Sequence, residues 1–308
     1  MLVTNNLVGI KMSDEPRRRS GGRAGNTRGK RGAIEQMPWR IIENTDRPIE
    51  PLNEEGILAI HEGAMEILED IGIEFLNEEA LKIFKDAGCK VIDQKVYLDR
   101  HWVMDMVEKV PTEFTITPRN PAHTLHVGGN KMLFGNVSSP PNYWDMELGR
   151  KVTGNREYCK NFFKLSQYFN CIHFVGGYPV EPVDLHASIR HLEATYDKLT
   201  LTDKAAHTYC LGSERVEDVM EMVRIAGGLT NEEFESKPHM YTNINSTSPL
   251  KHDWPMIDGC LRLARRGQAI LVTPFTLAGA MAPVTMAGAV AQSIAEALCA
   301  IALFQYVR

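Results

Sequence analysis

An α/β fold, an incomplete (β/α)8 barrel of the TIM type with an N-terminal α+β cap region, is what the sequence predicts. Two observations predict it. Five short strand-like runs, at 131–135, 171–175, 205–211, 239–243 and 269–273, are separated by segments of helical periodicity, and the last of them is apolar and rich in β-branched residues. Strands alternating with helices in this way signal βα units and a parallel sheet. No GxGxxG follows any of the runs, which removes the usual mark of a dinucleotide-binding sheet. A closed barrel of this type has eight strands, so about five units predict an arc that lacks its last three strands.

Residues 1–45 are expected to form a disordered basic tail. Lys11, Arg17, Arg18, Arg19, Arg23, Arg28, Lys30 and Arg31 stand there among glycines with few apolar neighbours, too little surface to bury. Residues 46–130 read as the helical, α+β cap. Asn53 caps a helix that Gly72 ends, and Asn77 caps a second that Gly88 stops. A hairpin-like piece at 90–98, a third helix over 100–109 and two strands near 114–117 and 124–127 follow. From 131 onwards the partial barrel begins, with helices expected at 155–169, 185–199, 215–226, 254–266 and 289–306.

The 308 residues carry 44% hydrophobic content, ample for a core. A net charge of −5 argues against nucleic acid as the main partner. Six cysteines without a CxxC pair predict reduced, mostly buried thiols and a cytoplasmic location. The apolar stretch after Val284 is interrupted by Gln292, Ser293 and Glu296 and rich in alanine, so a buried helix is expected rather than a membrane span. No zinc spacing links His186, His191 and His207, so no metal site is expected. Cys210 has no obvious base beyond His207 and reads as a core thiol.

In a barrel of this kind the active site lies on the loops after the strands. That rule selects Asn136 and Tyr143 after the first run, and Tyr178 and Glu181 after the second. It adds Asn245 and Ser246 after the fourth, and Phe275 and Thr276 after the fifth. These eight are the candidate substrate-binding residues. A lining of aromatic rings and a few carboxylates suits a cationic methylated amine, through attraction between cation and ring face. The same rings at strand ends can equally be the packed rim of a barrel. A lyase or hydrolase on the same fold would need a convergent acid/base pair, for which Glu181 and Asp184 are the nearby candidates. A non-catalytic truncated fragment is the remaining alternative.

The order of blocks then carries a resemblance. LFGNVSSPPNYWDMELGRKVTG, HFVGGYPVEPVDLHASIRHLEATY, LTLTDKAAHTYC, NINSTSPLKHD and PFTLAGAMAPVTMAGAVAQSIAEALCAIALFQYV together resemble the trimethylamine:corrinoid methyltransferase family. LNEEGILAIHEGAMEILEDIGIEFLNEEALKIFKDAGC resembles that family's opening. The resemblance implies a TIM barrel that transfers a methyl group from trimethylamine, or from a quaternary amine such as glycine betaine, to the cobalt of a corrinoid. That corrinoid (cobalamin) would be carried by a separate corrinoid-binding protein, with none bound directly by this chain. A homo-oligomer without membrane contact is expected. Founding members engage the amine with pyrrolysine. That position would lie beyond Arg308, so no catalytic residue is assigned here.

Overall fold

The computed structural model describes residues 34–308. The basic stretch of the expected tail lies outside the described residues. Within the remainder of that tail, β1 (Ile42–Glu43) is an ordered strand rather than a disordered one. α1 (Glu54–Glu66) starts where the Asn53 side chain accepts from Gly56 N–H, and it widens into a π-type turn over Ile67–Ile71. Gly72 ends it at φ +75°, a conformation that favours glycine. β2 (Ile73–Phe75), α2 (Glu78–Asp86) capped by Asn77, and the hairpin β3 (Lys90–Ile92) and β4 (Lys95–Tyr97) follow. α3 (Arg100–Val107) is capped by Asp99, and β5 (Glu113–Ile116) pairs antiparallel with β6 (Leu125–Gly128).

The expected first run divides. β7 (Lys131–Met132) pairs antiparallel with β1, whereas Gly135 forms a parallel bridge to Phe174. A hairpin, β8 (Asn142–Asp145) and β9 (Arg150–Thr153), occupies residues read from sequence as an open loop. α4 (Arg156–Tyr168) comes next, and Phe174 alone of the run 171–175 bridges, in parallel, to Ala205. α5 (Arg190–Leu201) begins at 190 rather than 185, because His186 O holds the Ile189 and Arg190 N–H groups in a turn. β10 (Ala206–His207), α6 (Ser213–Gly227) and α7 (Asn231–Ser236) lead to β11 (Met240–Ile244). α7 was not foreseen; Thr230 and Glu233 close it with a reciprocal capping box. β12 (Lys251–His252), α8 (Trp254–Arg265), β13 (Ala269–Val272) and α9 (Met286–Val307) complete the described order.

β10, β11 and β13 form a parallel sheet in that order. With the bridges from Gly135 to Phe174 and from Phe174 to Ala205, five segments lie side by side, parallel and in chain order. Among the described residues no strand pairs with the outer edge of β13. Strand side chains alternate between faces. Ala206, Cys210, Met240 and Ile244 join the main core with α6 and α8, while Ala205, Tyr241 and Ala269 pack with Ile116 and Leu125 of the β5–β6 pair. That pair therefore packs on the face of the sheet opposite the main core.

The main core also crosses residue 130. Ala64, Met65, Leu68, Phe75 and Phe84 share it with Leu261, Leu263 and Leu303. β12 forms one sheet with β2, β4 and β3, in the order β12–β2–β4–β3. α9 lies against this core. It is long and apolar enough to span a membrane, but 56% of its most apolar window is buried inside the fold. Burying a leucine or phenylalanine such as Leu303 or Phe304 contributes about 2 kcal/mol each. Gln292 and Glu296, expected to break an apolar stretch, are buried and hydrogen-bonded instead.

Candidate functional site

The segments after Gly135, Phe174 and β10 converge on Tyr209. Its hydroxyl lies 2.7 Å from Ser138 Oγ and 2.5 Å from Ser139 Oγ, and it accepts from Tyr178 N–H at 2.9 Å. Burial raises the Tyr209 hydroxyl above the ordinary phenol range, so it stays protonated at neutral pH. The Tyr178 ring stands 4.8 Å from the Tyr209 ring, tilted by 57°. Gly177 sits beside them at φ +109°, where an added Cβ would strike Tyr209 Oη and Ser138 Oγ. The loop is thus shaped by a glycine requirement and one phenol.

Asn136 ties the first two loops together, since its Oδ1 accepts from Gly176 N–H at 3.1 Å. Tyr143 does not stand free at a mouth. It stacks on Tyr158 at 4.1 Å and shares a buried cluster with Tyr178, Cys159 and Phe163. Glu181 pairs with Arg190 at 2.9 Å, and Asp184 Oδ1 accepts from Arg156 N–H at 2.7 Å at the start of α4. Both carboxylates are therefore held in structural roles rather than as a free acid/base pair. Asp145 likewise accepts from the Glu147 and Leu148 N–H groups, which holds its carboxyl below the usual range.

The fourth and fifth loops are joined separately. The Asn245 amide lies 2.8 Å from Thr273 Oγ1. Ser246 is buried and donates to Glu296, so its hydroxyl is already occupied. Phe275 is half exposed and Thr276 partly so. Cys210 is a buried thiol bonded weakly to Thr242 Oγ1, in keeping with its reading as core. Cys159, Cys260 and Cys299 are buried free thiols as well.

Sequence reasoning missed Arg190, Lys198 and Arg215, which stand between α5, α6 and the end of β10. A cavity of about 90 Å³ is lined there by Tyr178, Arg190, Lys198, His207, Tyr209 and Arg215, among others. Lys198, on the inward stripe of α5, is 2% exposed and donates to His207 O at 2.5 Å. Burial lowers its ammonium to about 8. His207 is equally buried; burial first, then the Lys198 charge, holds its imidazole down to about 3. Lys198 stands four residues after the buried Ala194, on the same face of α5.

The sequence profile of the family described as Trimethylamine methyltransferase (MTTB) matches residues 18–308. The chain belongs to the trimethylamine methyltransferase family. It is 35% identical over 254 residues to a glycine betaine methyltransferase of Desulfitobacterium hafniense (strain Y51), covering 82% of this chain and 53% of that protein. It is 26% identical over 257 residues to the trimethylamine methyltransferase MttB of Desulfitobacterium hafniense (strain DSM 10664 / DCB-2), covering 82% of this chain and 51% of that relative. The chain thus spans about half the length of these two family members.

Proposed function

We propose that this chain supplies part of a methyltransferase that takes a methyl group from a methylated amine, with the cobalt of a corrinoid protein as acceptor. The observation that carries the reading is the family match over residues 18–308. The parallel, in-order pairing of five segments supports a partial (β/α)8 barrel as its scaffold. The amine is a quaternary or otherwise cationic nitrogen, since only such a nitrogen leaves readily. The corrinoid is a second substrate brought by its own protein, and it supplies the nucleophile.

This chain's residues have the tasks of binding, orientation and exclusion of water. Tyr178 and Tyr209 offer adjoining ring faces, and a cation on such a face gains about 0.5–2 kcal/mol. Their raised hydroxyl pKa values, caused first by burial, keep both neutral. Glu181 and Asp184 are already engaged, so neither stands free as the acid or base of a hydrolysis. Positioning chemistry suits that set better than hydrolysis does.

The test is calorimetric titration with trimethylamine, glycine betaine and choline, followed by the absorption spectrum of a reduced corrinoid protein in the presence of each. Saturable heat and a spectral change with at least one amine are expected. Absence of both with every amine overturns the reading.

A further inference from the structure

Five buried side-chain polar atoms lack a hydrogen-bond partner among the described residues, and three of them belong to residues lining one cavity. They are Nδ1 of His191 and both ring nitrogens of His207. His191 Nε2 is held by Asp218 at 2.9 Å, so only its Nδ1 is bare. The Asn243 side chain comes near enough to the His207 ring to favour its protonated form, yet neither ring nitrogen has a partner in good hydrogen-bond geometry. Lys198 lines the same cavity, 2% exposed, and its ammonium has one acceptor, His207 O, for three N–H groups. It forms no ion pair among the described residues, whereas buried charges are normally paired. Arg215, on the α6 side, adds a second cation without an ion pair among the described residues, and the nearest carboxylate on the cavity wall, Glu181, is matched by Arg190.

We propose that this cavity binds a small carboxylate, held by the Lys198 ammonium and by a ring N–H of His207. A single negative charge matches a single deeply buried ammonium. Tyr178, Ala187 and Val219 on the walls suit a short hydrocarbon body. The carboxylate arrives either as a free short acid or as the acid end of a zwitterionic methylated amine. The second source rests on the proposed function above; the first does not.

The experiment titrates the wild-type chain and Lys198→Met with acetate, glycine betaine and choline by calorimetry. Acetate and betaine, or acetate alone if the source is a free acid, bind the wild type at one site. Each lowers its affinity at least tenfold in the variant, while choline, which lacks a carboxylate, is unchanged between the two proteins. Equal acetate binding by both proteins, no acetate binding at all, or an equal loss for choline overturns the proposal. If Lys198→Met does not fold, nuclear magnetic resonance of the wild type decides: acetate must shift the His207 ring signals and leave those of His239 in place. Unmoved His207 signals overturn the proposal. Acetate binding without any methylated-amine binding keeps this site and removes the proposed function. Amine binding independent of Lys198, without acetate binding, does the reverse.

Discussion

Ser248 Oγ donates to Glu296 Oε2 at 2.6 Å, across forty-eight residues, and so fastens the loop after β11 to the middle of α9. The same carboxylate accepts from Ser246 Oγ, from Leu250 N–H at 2.8 Å and from Gln292 Nε2 at 2.8 Å. Glu296 is fully buried. Replacing it by leucine strands three donors of that loop in an apolar setting. Glu296→Leu is expected to lower stability by about 3 kcal/mol, and Glu296→Gln, which keeps an acceptor, by about 1 kcal/mol. Urea midpoints measure both. Equal midpoints for the two variants would show that the acceptor oxygens do not hold the loop.

Lys198 makes stability depend on alkaline pH. Its ammonium is lowered from 10.5 to about 8, so between those values the unfolded chain holds a proton that the folded chain has released. Stability therefore rises with pH across that window, by up to roughly 3 kcal/mol, and the burial cost is fully present below pH 8. Lys198→Met should match or exceed the wild type at pH 7 and lose that advantage by pH 10. Denaturant unfolding of both proteins at pH 7, 8.5 and 10 checks it; a constant difference refutes it.

His207 acts at the acid end. Burial holds its imidazole down from 6.5 to about 3, so on acidification the unfolded chain takes up a proton that the folded chain refuses. The stability contributed above pH 6.5 is lost as pH falls towards 3, by up to roughly 4 kcal/mol. The His207→Gln variant should show a shallower decline in melting temperature between pH 6.5 and 4 than the wild type. Parallel slopes would remove His207 as the cause.

Gly177→Ala should cost about 2 kcal/mol or more, because φ is +109° and the new methyl meets Tyr209 Oη and Ser138 Oγ. Tyr209→Phe removes one of those obstacles but not the backbone strain. The double variant should therefore recover only part of the loss, as read by a double-mutant cycle on urea midpoints.

Local features were the ones legible in the sequence. Asn53 and Asn77 announce α1 and α2 because a cap bonds within three residues, and Gly72 and Gly88 stop them because only the local φ matters. The hairpin β8–β9 escaped because its strands are four residues long and mostly polar, leaving no two-residue alternation of apolar side chains. Lys198 escaped for a different reason. A lysine in a helix reads as solvated, and its burial depends on β10 and α6 closing over it. Loop position alone put Tyr178 and Glu181 forward, and both line the cavity beside Lys198, whereas Tyr143 is packed on Tyr158, which nothing in its neighbours announces. Ser246 stands on the loop after β11, but the partner of its hydroxyl lies fifty residues on, where no local pattern points.

The pairing of β12 with β2 has a consequence for how the chain must be made. Lys251 and His252 complete the edge beside Glu74 and Phe75, and His252 stacks on the Phe75 ring at 5.0 Å. A ribosome delivers the two halves of that ladder well apart in time, so β2 emerges with a bare edge and waits. Cutting the gene near codon 130 should therefore yield a leading piece that sticks to itself or is degraded. Supplying residues 131–308 as a separate polypeptide in the same cell is the direct way to rescue it.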